Sequence, residues 1–209
     1  MYRSLTQESL CHGAEQLAAM DPDLERLYRR LGTPPLWARE PGFTTLVQII
    51  LEQQVSLKAA RTMFQRLSAN LGEMSPQSVM DSGEAGLRSL GLTRQKARYC
   101  YGLAERVTNG QLPLEHLGSL SDDEGRAALL ALPGLGPWSV DVYYLMALRR
   151  PDVWPQGDLA LAAALQDVKD LNAPATRTEQ QQFAEAWSPW RAVAARMLWA
   201  HYLDARGQV

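Results

Sequence analysis

The chain has 209 residues, 46% of them hydrophobic and 21% charged, enough for one large domain or two small ones. Its net charge of −2 and pI near 5.9 count against recognition by bulk positive charge. No stretch approaches the roughly 18 uninterrupted apolar residues of a membrane span, and two cysteines, Cys11 and Cys100, make neither a disulfide framework nor a four-thiolate cluster site. Met1-Tyr2-Arg3-Ser4 leads into a polar segment without an apolar signal core, so no export signal and a reducing cytoplasm are expected.

Apolar residues recur at helical spacing along most of the chain. Leu46, Ile49, Ile50 and Gln53 share one face of a helix opened by Pro41-Gly42. Leu57, Ala60, Met63, Phe64 and Leu67 mark the next, with Ser56 as its N-cap. Ser75-Pro76 is a cap followed by proline at the first helical position. Gly91-Leu92-Thr93 breaks the chain, and Thr93 caps a helix running to about Thr108. Ser121-Asp122-Asp123-Glu124 is a capping box that opens a helix to Leu132. Alternating β patterns flanked by turn residues are absent, so the fold class is all-α, with roughly ten helices on short connections. Proline-rich breaks at Thr33–Leu36 and Pro151–Gly157 suggest two helical lobes flanking a cleft: a middle lobe over 43–150, and a second built from 1–42 plus 151–209. From Lys58 to Arg106 eight basic residues face four acidic ones, a local charge of +4 (8 − 4), although each residue taken alone reads as solvated helix surface.

The segment Leu132-Pro133-Gly134-Leu135-Gly136-Pro137-Trp138 joins two helices through a very short turn. Gly134 and Gly136 permit backbone angles that side chains forbid and leave their amides bare. Pro137 fits the first position of the following helix, where its missing N–H costs nothing. Bare amides at a helix N-terminus suit one phosphate, which anchors a nucleic acid backbone without reading bases. The carbonyls of Leu130, Leu132 and Leu135 can instead hold a monovalent cation, sodium or potassium, that bridges to DNA. A plain helix–turn–helix corner is the third reading. Further on, Asp158 follows Gly157 and precedes Leu159-Ala160-Leu161-Ala162, the pattern of a helix N-cap.

Together these motifs resemble the HhH-GPD superfamily of DNA glycosylases, named for a helix-hairpin-helix followed by a Gly/Pro-rich loop and an aspartate. The second half is present as Arg150-Pro151-Asp152-Val153-Trp154-Pro155-Gln156-Gly157-Asp158. The upstream helix that ends in a Gln-Gln-Val-Ser turn is present as Ile49–Ser56, and Gly91–Arg98 also fits. The likeness spans about residues 40 to 205 and is greatest to the 3-methyladenine DNA glycosylase II (alkylbase) branch, without the N-terminal β domain of some members.

The resemblance implies a monofunctional glycosylase of base excision repair. Such an enzyme flips an alkylated purine, of the 3-methyladenine or 7-methylguanine type, out of double-stranded DNA and hydrolyses its N-glycosidic bond. Asp158 would be the catalytic carboxylate, stabilising positive charge on the sugar and orienting water; the helix dipole favours its carboxylate form. Trp138 stands where bifunctional members carry a lysine, so no amine attacks the sugar and an intact abasic site remains. Trp138 and Trp199 match aromatics of the base pocket, where indole faces attract a cationic base. Val142 replaces a pocket tyrosine of some relatives, with Phe43, Trp37 or Tyr143 as compensating aromatics. Trp154, Trp187 and Trp190 are expected in the core, and His12, His116 and His201 lie outside the motifs. Gln54 matches the wedge that fills the gap left by the flipped nucleotide, with Gln53 beside it. Gly134, Leu135, Gly136, Thr93, Arg94 and Lys96 are the expected DNA backbone contacts. No cofactor is required and a monomer is expected. The competing readings are a helix-hairpin-helix protein that binds damaged DNA without chemistry, and a glycosylase for deaminated or oxidised purines.

Overall fold

Helix punctuation in the sequence accounts for most element boundaries in the computed structural model, which describes residues 4–207. Residues 1–3, the start of the segment taken to carry no export signal, lie outside the described residues. Eleven α-helices follow one another among the described residues: α1 (Gln7–Met20), α2 (Pro22–Leu31), α3 (Phe43–Glu52), α4 (Leu57–Leu71), α5 (Pro76–Ser89), α6 (Arg94–Thr108), α7 (Asp122–Leu130), α8 (Pro137–Met146), α9 (Leu159–Val168), α10 (Arg177–Ala186) and α11 (Arg191–Asp204). A single 3-10 turn, Leu114–His116, precedes α7, and no strand occurs among the described residues. No helix there is long and apolar enough to cross a membrane. Ser56, Ser75, Thr93 and Ser121 each accept an amide of the first helical turn, as their positions before apolar-periodic runs demand. At Ser121 the reciprocal bond, from the Ser121 amide to the Glu124 carboxylate, completes the box. Helix α7 ends at Leu130, two residues short of the expected Leu132, because Pro133-Gly134 turns the chain away.

Two units divide the chain, one over Arg39–Tyr143 and one formed by the segment up to Ala38 with the segment from Tyr144 onward. The division falls at Arg39 and, within α8, at Tyr143, where the proline-rich breaks suggested 43 and 150. In the Arg39–Tyr143 unit, α5 lies along α6, and α3 packs on α4 and α6. Leu46, Ile49, Ile50, Leu67, Leu87 and Ala97 are buried at these contacts. Each fully buried leucine or isoleucine contributes about 1.5–3 kcal/mol of transfer free energy. Arg126 of α7 meets Asp141 of α8 at 2.6 Å, bracing the two helices of the hairpin against each other.

The second unit is organised around α11, whose residues Ala192–Ala200 are all buried. Helices α1, α2, α9 and α10 surround it, and its small residues allow their backbones close. Arg196 lies fully buried in this helix and satisfies its donors on carbonyls: Nε to Leu36 at 2.9 Å, Nη1 to Ala192 at 3.0 Å and Nη2 to Leu145 at 2.7 Å. Burial pushes its pKa down to about 9. Trp187, Trp190 and Trp154 are buried in this unit, as expected for core residues.

Candidate functional site

The hairpin is built in the Arg39–Tyr143 unit. Leu132 and Leu135 turn inward and are buried, whereas Leu130 is largely exposed. The Leu135 amide donates to the Leu132 carbonyl at 3.1 Å, which takes both groups partly out of play as phosphate donor and cation ligand. The amides of Gly134 and Gly136 make no hydrogen bond among the described residues, so the bare-amide face narrows to them. Gly134 adopts a φ of 95°, and a Cβ there would run into the Tyr99 ring. Both facts require glycine. A Cβ on Gly136 would meet open space, so its requirement is an open face.

The Gln-Gln turn follows α3. Gln54 is exposed with a φ of 56°, in the left-handed region that glutamine rarely adopts. Gln53 is not presented outward beside it. Its Nε2 donates to the Gly134 carbonyl at 2.7 Å and to Ser139 Oγ at 2.9 Å. Lys96 departs further from the expected phosphate contact: it is 8% exposed, and its Nζ donates to the Leu51 carbonyl at 2.5 Å. Its ammonium thereby serves one of the orphan carbonyls at the C-terminus of α3. Burial lowers its pKa. Arg39 grips Glu52 bidentately on the same turn, at 2.8 and 3.1 Å. Thr93 and Arg94 remain exposed at the start of α6, where Thr93 Oγ1 accepts the Lys96 amide.

Of the expected pocket residues in this unit, Trp138 is half-buried and Val142 buried, one helical turn apart on α8. Phe43 is buried at the start of α3 and lines a cavity of about 370 Å³ with Arg39, Glu40 and Gln48. Tyr143 is fully buried and its hydroxyl accepts the Gly42 amide at 3.0 Å, so it serves the core rather than replacing the tyrosine missing at Val142.

Asp158 lies in the other unit. It is the N-cap of α9, with Oδ1 accepting the Leu161 amide at 2.9 Å. The indole Nε1 of Trp199 donates to the same oxygen at 3.3 Å. The carboxylate is 8% exposed. The edge of Trp37 meets Trp199 with ring centroids 6.4 Å apart, and Trp37 has a φ of 45°, strained for so bulky a residue. Gly157 has a φ of 74°, and a Cβ on it would stand 3.0 Å from Nε of Arg177, an exposed residue of α10. Leu159, the residue after Asp158, is 85% exposed. Sequence patterning missed Arg177, Tyr99 and Ser139, because each acts through a contact distant in the chain. Leu159 lies outside the buried Leu161-Ala162-Leu165 face of α9.

Bare amides in a glycine hairpin and a capped carboxylate beside an indole define a helical protein of the helix-hairpin-helix class. The profile of the HhH-GPD superfamily of base excision DNA repair proteins matches residues 47–190, and the chain belongs to that superfamily. It is 27% identical over 199 residues to DNA-3-methyladenine glycosylase 1 of Schizosaccharomyces pombe, covering 91% of this chain and 87% of that protein. It is 30% identical over 207 residues to the probable bifunctional transcriptional activator/DNA repair enzyme AlkA of Mycobacterium tuberculosis, covering 88% of this chain and 41% of that protein. Among solved structures, the Schizosaccharomyces pombe 3-methyladenine DNA glycosylase in complex with abasic DNA superposes with a TM-score of 0.84 at 26% identity, covering 90% of this chain and 95% of that one. The chain spans 41% to 64% of the length of curated relatives from Mycobacterium tuberculosis and Bacillus subtilis.

Proposed function

We propose that this chain is a monofunctional DNA glycosylase that excises alkylated purines from double-stranded DNA. The observation that carries the reading is Asp158: a buried carboxylate, fixed by the Leu161 amide and the Trp199 indole, at the end of a glycine-led loop. Relatives named 3-methyladenine glycosylases, one of them solved with abasic DNA, support it.

The chemistry follows from charge. As the C1′–N bond breaks, its electron pair leaves with the base and the sugar becomes cationic. Asp158 supplies a fixed negative charge next to that centre and accepts a proton from water as its oxygen bonds to C1′. A 3-methylated purine carries a positive charge beforehand and departs neutral, so no general acid is needed. Trp199, beside Asp158 in the same unit, offers an indole face to such a cation, worth roughly 0.5–2 kcal/mol. Trp138 leaves no amine for strand cleavage. The Gly134 and Gly136 amides would hold a backbone phosphate, and the exposed Gln54 would enter the stack. Leu130, Leu132 and Leu135 offer only neutral carbonyl oxygens, a donor set that suits a hard monovalent cation bridging to DNA. The carbonyl of Leu132 keeps a second lone pair beside its bond from Leu135.

The test is base release from heavily methylated DNA, with free 3-methyladenine and 7-methylguanine resolved chromatographically. A protein that binds this DNA and liberates no base is the non-catalytic binder. One that releases only deaminated or oxidised purines has a different substrate.

A further inference from the structure

Gln53 closes α3, and both hydrogens of its amide nitrogen are spent inside the protein, on the Gly134 carbonyl and on Ser139 Oγ. Ser139 is 3% exposed in the first turn of α8, so one end of this contact is anchored in the core. One residue beyond Gln53, the chain turns outward at the exposed, left-handed Gln54. Helix α6 holds the same two features from a third side. Its Lys96 donates to the Leu51 carbonyl in the last turn of α3, and Tyr99, one helical turn on, lays its ring against Gly134. The α3 turn and the hairpin are therefore tied directly by Gln53 and indirectly through α6.

We propose that Gln53 is a positioning residue that latches the Gln54 turn to the hairpin, so that a phosphate held at Gly134–Gly136 sets how deeply Gln54 enters the duplex. The proposal rests on the base-flipping reading given above. A side chain wedged between bases is pushed back by stacking. An exposed turn with a left-handed residue has little stiffness of its own. A two-bond latch to a phosphate-anchored loop supplies it. For Gln53 to contact DNA through its amide nitrogen, that nitrogen would have to abandon both partners, one of them the buried Ser139 hydroxyl.

The test uses the full chain with Gln53→Leu, which keeps the side chain's bulk without its donors, and Ser139→Ala, which removes one latch partner without touching the turn. A duplex with a tetrahydrofuran abasic site beside 2-aminopurine reports wedge insertion by fluorescence at saturating protein. Gln53→Leu is expected to bind with the wild-type salt dependence and to lose the fluorescence change by about tenfold, with Ser139→Ala in between. Its excision defect should shrink when the lesion lies opposite a missing base, where flipping costs less. A full fluorescence change in Gln53→Leu overturns the proposal, as does a wild-type protein that binds without any change. An impaired Gln53→Leu beside a wild-type-like Ser139→Ala also overturns it, because Gln53 then acts on DNA directly. If Gln53→Leu does not fold, Ser139→Ala decides. If wild type releases no base, the glycosylase reading fails while the fluorescence still tests the latch.

Discussion

At Asp158 a helix cap and a candidate catalytic carboxylate coincide in one side chain, and substitutions can separate them. Asparagine caps a helix about as well as aspartate. Asp158→Asn should therefore melt within a few degrees of wild type and keep its affinity for abasic-site duplex, while base release falls by at least about a hundredfold. Asp158→Ala should lose release and also about 1 kcal/mol of stability. Equal release by wild type and Asp158→Asn would remove Asp158 from the chemistry. The loop before it is equally sensitive. Gly157→Ala must adopt a φ of 74° and displace Arg177, so about 1 kcal/mol or more of stability should be lost. Thermal melts check the stability, and single-turnover excision shows whether the shifted loop also misplaces Asp158.

At the scale of elements, the start of α11 is held by a group from a distant segment. Asp152 accepts Nε of Arg191 at 2.7 Å and its Nη2 at 2.9 Å at the first residue of α11. Burial pushes the Asp152 carboxyl up, but the hydrogen bonds and charge of Arg191, with a bond from Ser188, outweigh this and its pKa is lowered. A lowered carboxylate pKa gives stability that is present above the ordinary value near 4 and is lost as pH falls through the folded value. Asp152→Asn should therefore cost about 1–2 kcal/mol at pH 7 in denaturant titrations, and its stability should decline less than wild type's below pH 4. A parallel decline in both proteins would assign the acid sensitivity elsewhere, with Asp21, lowered by Lys169 and Trp187 against its burial, the next candidate. In the hairpin, Gly134→Ala meets both a positive φ and the Tyr99 ring. Loss of more than about 1 kcal/mol is expected, together with weaker binding of abasic duplex.

For the molecule as a whole, a net charge of −2 means that the proposed DNA binding has to draw on a local basic surface. Lys58, Arg61, Arg66, Arg88, Arg94 and Arg98 are exposed, whereas Lys96 is withdrawn onto Leu51. Binding of an undamaged duplex should weaken linearly on a log–log plot against salt. Arg94→Ala should reduce that slope by about 0.9, and an unchanged slope would show that Arg94 touches no phosphate. Replacing Lys96 should act differently, lowering stability without changing the slope.

The sequence by itself determined most of the helix boundaries that it marks with caps and prolines, because these signals and apolar periodicity are local. Ser56, Ser75, Thr93 and Ser121 needed only their neighbours. It also determined the hairpin and the N-capping Asp158, since a glycine turn and a cap are written in consecutive residues. Tertiary structure decided the assignment of the polar groups. Gln53 and Lys96 both read as surface contacts, yet their partners lie 81 and 45 positions away, at Gly134 and Leu51. Tyr143 read as a pocket aromatic, but its hydroxyl is committed to Gly42. A hydrogen bond between distant segments leaves no periodic trace, so where a long polar side chain sends its donors was settled only when the helices packed.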